Sequence, residues 1–129
     1  MIQEGIRRIE KDIQNLDERL SLVNNEEDIF ALQKSHNALE NTLSVFYTLE
    51  GIAYAALGKP SEALSSYELA IELDAENATA HAVKGNYYYS LEQFSDAIES
   101  YEQSILLDPN NARAHYGLGV SYYLSLIHI

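Results

Sequence analysis

Apolar residues in the first third of the chain recur at helical steps. Ile2, Ile6, Ile9, Ile13, Leu16, Leu20 and Val23 alternate steps of four and three, the spacing of a heptad seam along one side of a helix. Asn24-Asn25 interrupts the seam, and Glu26, Glu27 and Asp28 put negative charge where a new helix would begin. Ile29, Leu32, His36, Leu39, Leu43 and Phe46 then resume the same steps. Residues 1–43 therefore predict an antiparallel helical hairpin. The second run continues past Leu43 to Phe46 without Gly or Pro, so one long helix over 26–57 fits as well as two.

From Ser44 the pattern becomes periodic at a longer step. Gly51, Gly85 and Gly119 stand 34 residues apart, and so do Tyr54, Tyr88 and Tyr122. Ala63 pairs with Ala97, Tyr67 with Tyr101, Ile71 with Ile105, Asp74 with Asp108 and Asn77 with Asn111 at the same step. Each period holds two amphipathic runs. In the first, Phe46, Tyr47, Ala53, Tyr54 and Leu57 share helical spacing, followed by Ala63, Leu64, Tyr67, Ile71 and Leu73. Gly58 allows a turn between them and Pro60 suits the first turn of the next helix. Asp108-Pro109-Asn110-Asn111 reads as a turn whose last residue can cap the following helix. Small residues such as Gly51 and Ala63 let two helices approach, and the tyrosines fill the space between neighbouring periods.

This period, with its Gly, Ala and aromatic signposts, resembles the tetratricopeptide repeat family, whose pattern is W-x2-L-G-x2-Y, then A-x3-F, then P. Residues 44–77 supply Tyr47 for the Trp, Gly51, Tyr54, Ala63, and Tyr67 for the Phe. Residues 78–111 supply His81, Gly85, Tyr88, Ala97, Tyr101 and Pro109. Residues 112–123 supply His115, Leu118, Gly119 and Tyr122, the first helix of a third repeat. Ala75 replaces the closing Pro of the first repeat, and Glu50 and Lys84 replace the Leu before each Gly. Glu50 and Lys84 occupy equivalent places on neighbouring helices, where an ion pair could cross the repeat boundary; the alternative is that each reaches solvent.

The fold expected is all-α: a tetratricopeptide-like α-solenoid of antiparallel helix pairs with an N-terminal helical hairpin. One hairpin cannot bury its apolar face alone, so the repeats must stack. Residues 1–43 admit two readings. They are a degenerate repeat capping the solenoid, since the turn at Asn24-Asn25 falls 34 residues before Gly58-Lys59. Or residues 2–23 form an intermolecular coiled coil, giving a homodimer.

Charge narrows the partners. Twenty acids against eight bases give a net charge of −12, and eleven acids but only three bases follow Ser44. A surface for nucleic acid needs clustered Lys and Arg, so nucleic acid and anionic membrane are disfavoured and a protein or peptide is the expected partner. No stretch approaches the roughly 18 apolar residues of a membrane span. Residues 1–11 lack the continuous apolar run of a targeting segment, which points to a soluble, cytoplasmic protein. With no Cys there is no thiolate metal site and no cysteine nucleophile.

Candidate chemistry is sparse. His81 and His115 share the repeat position preferred by Trp and read as packing residues rather than metal ligands; His36 lies on an apolar seam. Gly58-Lys59-Pro60-Ser61 lacks the upstream Gly of a phosphate loop, and Gly117-Leu118-Gly119 lies inside a helix and follows no strand. Asn77-Ala78-Thr79 is a sequon without a secretory signal. No nucleophile, base and orienter set is present, so no enzyme activity, cofactor or metal is expected.

The resemblance implies a concave groove lined by the first helix of each repeat. Its residues here would be Thr48, Ile52, Ala55, Ala82, Asn86, Tyr89, Arg113, Tyr116, Val120 and Tyr123. Family members that clamp the carboxylate tails of chaperones use several Lys, Arg and Asn. The corresponding places here hold Thr48, Ile52, Val83, Arg113 and Gly117, of which Arg113 alone fits. The function implied is a non-catalytic protein-interaction scaffold that buries a peptide with apolar or aromatic anchors. The alternatives are an oligomerisation element acting through the heptad helix, or a regulatory domain of a larger enzyme. Residues 124–129, Leu-Ser-Leu-Ile-His-Ile, resemble the translation of a transposon mosaic-end sequencing adapter, which marks them as a non-native tail on a gene fragment.

Overall fold

The computed structural model describes residues 1–127. These form six helices: α1 (Ile2–Leu22), α2 (Glu26–Ala56), α3 (Pro60–Leu73), α4 (Ala78–Ser90), α5 (Phe94–Leu107) and α6 (Ala112–Ile127). No strand occurs among the described residues, and no helix among them is long and apolar enough to cross a membrane. Each helix packs on the next, and α4 also touches α2 and α6. The result is an α-solenoid with α2, α4 and α6 side by side and α3 and α5 behind them. α6 continues through Leu124, Ser125, Leu126 and Ile127, while His128 and Ile129 of the adapter-like stretch lie outside the described residues.

The long helix is realised: α2 runs unbroken for 31 residues. Its N-cap is Asn25, whose side chain accepts from the Glu27 N–H, and its first turn carries Glu26, Glu27 and Asp28. α1 lies antiparallel along α2, from Asp17 against His36 to Gly5 against Phe46. Ile6 and Ile9 are buried with Leu43, and Ile2, Ile13, Leu39, Phe46, Tyr47 and Leu73 close around them. A Cβ on Gly5 would fall 2.7 Å from the Phe46 ring, so that ring lies directly against the α1 backbone there. Two polar contacts flank the apolar seam. The Tyr47 phenol donates to Glu10 at 2.8 Å, and His36 Nε2 lies 3.0 Å from Asp17 Oδ1. His36 is thus an edge histidine with a carboxylate partner. The heptad seam of α1 is engaged within its own chain.

The repeats are built on aromatic-on-glycine contacts. A Cβ on Gly51 would meet the Tyr67 ring at 2.5 Å, and one on Gly85 would meet the Tyr101 ring at 2.7 Å. Tyr101 also touches Gly117 of the next repeat, where a Cβ would come within 2.5 Å of its ring. Its ring is therefore held between α4 and α6 from its seat on α5, at only 2% exposure. Around it lie Ala82, Ala97 and Ala114.

Two kinds of turn recur. Gly58 closes α2 to α3 with φ of 74°, and Glu92, 34 residues on, closes α4 to α5 with φ of 59°. Between repeats, Asn77 and Asn111 cap α4 and α6 by accepting from the Ala80 and Ala114 N–H groups. The rings of His81 and His115 reach back to the carbonyls of Ala75 and Pro109, at 3.1 and 2.8 Å. That contact gives His at the Trp position a physical role: it ties the inter-repeat turn to the helix it precedes.

The expected Glu50–Lys84 ion pair is not formed. Ser66 on α3 donates to Glu50 at 3.1 Å, and the Lys84 ammonium sits 5.9 Å from the centre of the Tyr88 ring on its own helix. Each side chain is satisfied within its own repeat before it can span the boundary.

Candidate functional site

The face made by α2, α4 and α6 carries two adjacent concavities of about 410 Å³ each. One lies between α4, α5 and α6 and is lined by Asn86, Tyr89, Tyr101, Arg113, Tyr116 and Val120 among others. The other lies between α2, α3 and α4 and includes Ile52, Ala55, Tyr67, Val83 and Tyr87. Asn86 and Arg113 line both, so the two form one groove with a shared polar centre.

Seven of the ten sequence-predicted residues meet there: Ile52, Ala55, Asn86, Tyr89, Arg113, Tyr116 and Val120. Thr48 and Ala82 do not, and this corrects the expectation. Both are buried, Thr48 at 3% and Ala82 at 7% exposure. The 34-residue step makes them equivalent, and in both repeats that position is turned into the packed interior. Ala82 packs with Ala97 and Tyr101, and the Thr48 hydroxyl donates to the Ser44 carbonyl and accepts from Asn77. Tyr123 is 64% exposed on α6 but lines neither concavity.

The floor of the groove was missed by the sequence reading because it comes from second helices. Tyr101 and Tyr67 rise from α5 and α3 between the first helices. Burial pushes the Tyr101 phenol up to about 12, with the neighbouring Tyr89 adding to the effect. It therefore stays a neutral donor, and it donates to Asn86 Oδ1 at 2.6 Å. That bond fixes the Asn86 amide so that its NH2 faces away from Tyr101. The signal was available: Tyr67 and Tyr101 hold the same register, and any large residue opposite a glycine reaches through the helix layer.

Electrostatically the groove departs from the rest of the chain. No Asp or Glu lines either concavity among the described residues, although the chain has 20 acids. Arg113 is the cation shared by both, and it makes no ion pair among the described residues. Tyr89 is steadied by an edge-on contact with Phe94, ring centres 6.1 Å apart. No group of three metal-ligating side chains occurs among the described residues.

Stacked antiparallel helix pairs with a concave inner face define an α-solenoid of helical-hairpin repeats. The chain belongs to the tetratricopeptide repeat family: the models described as "TPR repeat" and "Tetratricopeptide repeat" match residues 85–125 and 45–77. Solved structures agree. The one described as "First TPR of Spaghetti (RPAP3) bound to HSP90 peptide SRMEEVD" is similar with a TM-score of 0.62 at 22% identity, over 90% of this chain and 94% of that one. "Crystal structure of MamA" is similar with a TM-score of 0.62 at 25% identity, over 96% of this chain and 78% of that one. No curated protein matches the chain at a significant level.

Proposed function

We propose that the chain is a non-catalytic scaffold that binds an extended peptide of a protein partner along the α2–α4–α6 groove. Apolar or aromatic side chains of the peptide pack against Ile52, Tyr89, Tyr116 and Val120. One peptide carboxylate pairs with Arg113, and the Asn86 amide donates to the peptide backbone. The observation that carries this reading is the acid-free groove with Arg113 and Asn86 at its shared centre. A lone cation lowers the cost of bringing a carboxylate to an apolar surface, and a wall free of acids adds no repulsion. The neighbour bound to SRMEEVD takes an acidic peptide; the present groove suits an acidic ligand with fewer charges and more apolar contact. A homodimer through residues 2–23 has less support, because Ile6 and Ile9 are already buried against Leu43.

The test is a peptide-display selection against the full chain, followed by titration of the selected peptides. Arg113→Ala should weaken acidic peptides by about tenfold, and Tyr89→Ala should weaken all of them. Affinities unchanged in both variants would overturn the reading.

A further inference from the structure

The two concavities of the groove are one pocket met twice. Ile52, Ala55, Tyr67, Val83 and Asn86 of the first stand 34 residues before Asn86, Tyr89, Tyr101, Gly117 and Val120 of the second. Equivalent residues of successive repeats therefore line both, and one repeat step carries the first pocket onto the second. That step runs from α2 to α4 and from α4 to α6, which are packed neighbours. Packed helices lie about 8–10 Å apart, so the pockets recur at about that interval. The two pockets differ in what lines them. Ile52, Ala55 and Val83 give the first an aliphatic wall, whereas Tyr89, Tyr101 and Tyr116 surround the second with rings.

A ligand that fills both pockets must present side chains on one face at the same interval. In a β-strand that face recurs every second residue, at about 6.7 Å, or every fourth, at about 13 Å, and neither fits. An α-helix returns after seven residues at about 10.5 Å, but its interior carbonyls are already bonded. A polyproline II chain returns every third residue, at about 9.3 Å, and its backbone carries no internal hydrogen bonds. Asn86, which lines both pockets, separates the last two. Its Oδ1 is taken by the Tyr101 phenol, and its NH2 has no acceptor among the described residues. A free carbonyl at the boundary between the pockets satisfies that donor, and the polyproline II chain supplies one.

Given that the groove takes a peptide as proposed above, we propose that it reads this peptide as a left-handed polyproline II helix, with anchors three residues apart in the two pockets. The pocket beside α2 takes an aliphatic side chain, and the pocket beside α6 takes an aromatic ring against Tyr89, Tyr101 and Tyr116. An Asp or Glu between the anchors pairs with Arg113, which lines both pockets and makes no ion pair among the described residues. No acid lines either pocket to oppose it. The Asn86 NH2 donates to a peptide carbonyl between the anchors. Proline beside them strengthens binding, because it sets the bound conformation in advance.

The probes are two fluorescently labelled synthetic peptides, Pro-Pro-Leu-Pro-Glu-Tyr-Pro-Pro and its reverse, titrated into the full chain and read by polarisation. They present the same anchors and acid in the two chain directions, and one of them should bind saturably. Removing or adding one residue between its anchors should weaken it by about tenfold or more, and so should replacing its prolines by glycine. Ala55→Tyr gives the first pocket the side chain that the second has in Tyr89. It should move the preference at the aliphatic anchor from Leu to an aromatic residue, with the far-ultraviolet circular dichroism unchanged. Equal affinities at anchor separations of two, three and four would overturn the proposal, as would tighter binding of an α-helical peptide with the same anchors seven residues apart. In either case weakening by Arg113→Ala and Tyr89→Ala would leave the groove itself as the peptide site. No saturation of either probe by about 1 mM would overturn the polyproline II geometry. The groove would fall with it only if peptides selected by display were also indifferent to Arg113→Ala and Tyr89→Ala.

Discussion

The phenol of Tyr101 donates to Asn86 Oδ1 at 2.6 Å, and this bond joins the buried core of the second repeat to the floor of the binding groove. Tyr101→Phe keeps the ring between Gly85 and Gly117 and removes only the donor. A cost of about 1 kcal/mol in stability is expected, the ordinary net value of one such bond. The larger effect should be on binding, because the Asn86 amide loses the partner that orients it. Urea titration and peptide titration of the same variant separate the two, and an unchanged peptide affinity would show that Asn86 needs no positioning.

Three glycines of one helix layer should answer differently to the same substitution. Gly85→Ala and Gly117→Ala press a methyl into the Tyr101 ring from opposite sides, at 2.7 and 2.5 Å. The ring cannot move from one without meeting the other, so each should cost about 1–3 kcal/mol. Gly119→Ala meets nothing within 4 Å. There the gain of helix propensity acts alone and should stabilise by about 0.5–1 kcal/mol. Thermal melts of the three variants check the order, and a destabilising Gly119→Ala would contradict the open space beside Gly119.

Glu92 holds a left-handed backbone at φ of 59°, in the turn position that Gly58 fills at φ of 74° in the preceding repeat. The conformation costs a side-chain-bearing residue about 1 kcal/mol or more, and glycine avoids it. Glu92→Gly should therefore raise the midpoint of thermal unfolding, and Gly58→Ala should lower it by a comparable amount. Equal melts for Glu92→Gly and wild type would mean that the turn relaxes without strain.

Alkaline pH should loosen the fold through two phenols. Burial holds Tyr101 up to about 12, and it does the same for Tyr47, with the Glu10 hydrogen bond adding to it. In the unfolded chain both ionise near the ordinary value of 10.0. The folded state thus keeps protons that the unfolded state gives up, so unfolding is favoured as pH rises between those values. The contribution is complete below pH 10 and is lost towards pH 12. Urea midpoints measured across that window should fall less steeply in Tyr101→Phe than in wild type.

Most of the architecture was legible from spacing. The step of 34 between Gly51, Gly85 and Gly119 set the helix pairs, and the unbroken apolar run through Leu43 and Phe46 allowed the long α2. Helix existence depends on local periodicity, which a sequence displays. The groove was legible only in part, because the direction of a side chain depends on which helix covers it. Thr48 and Ala82 were placed in the groove by their helix, yet both are buried, Thr48 bonded to Asn77 and Ala82 packed on Ala97 and Tyr101 of α5. Tyr67 and Tyr101 come from the second layer and reach the groove only because Gly51, Gly85 and Gly117 leave room. The Glu50–Lys84 pair failed for a related reason: nearer partners, Ser66 and Tyr88, were not visible as neighbours in the sequence.

The N-terminal hairpin yields the sharpest contrast between two readings of one pattern. Ile9 is 8% exposed and sits in one cluster with Ile6 and Leu43. Ile9→Glu would bury a carboxylate with no basic partner in that cluster, at a cost of about 3 kcal/mol or more. The expected outcome is local: α1 detaches, and amides of residues 2–22 exchange quickly. Helices α4 and α5 keep their protection because the Tyr101 core does not depend on α1. The molecular mass by light scattering should stay that of the wild type. A seam used between two chains would behave otherwise, with the mass halved by the substitution. Light scattering therefore decides whether the heptad spacing of residues 2–23 encodes an intramolecular brace or a dimer, and hydrogen exchange on the same sample shows that the loss is confined to α1.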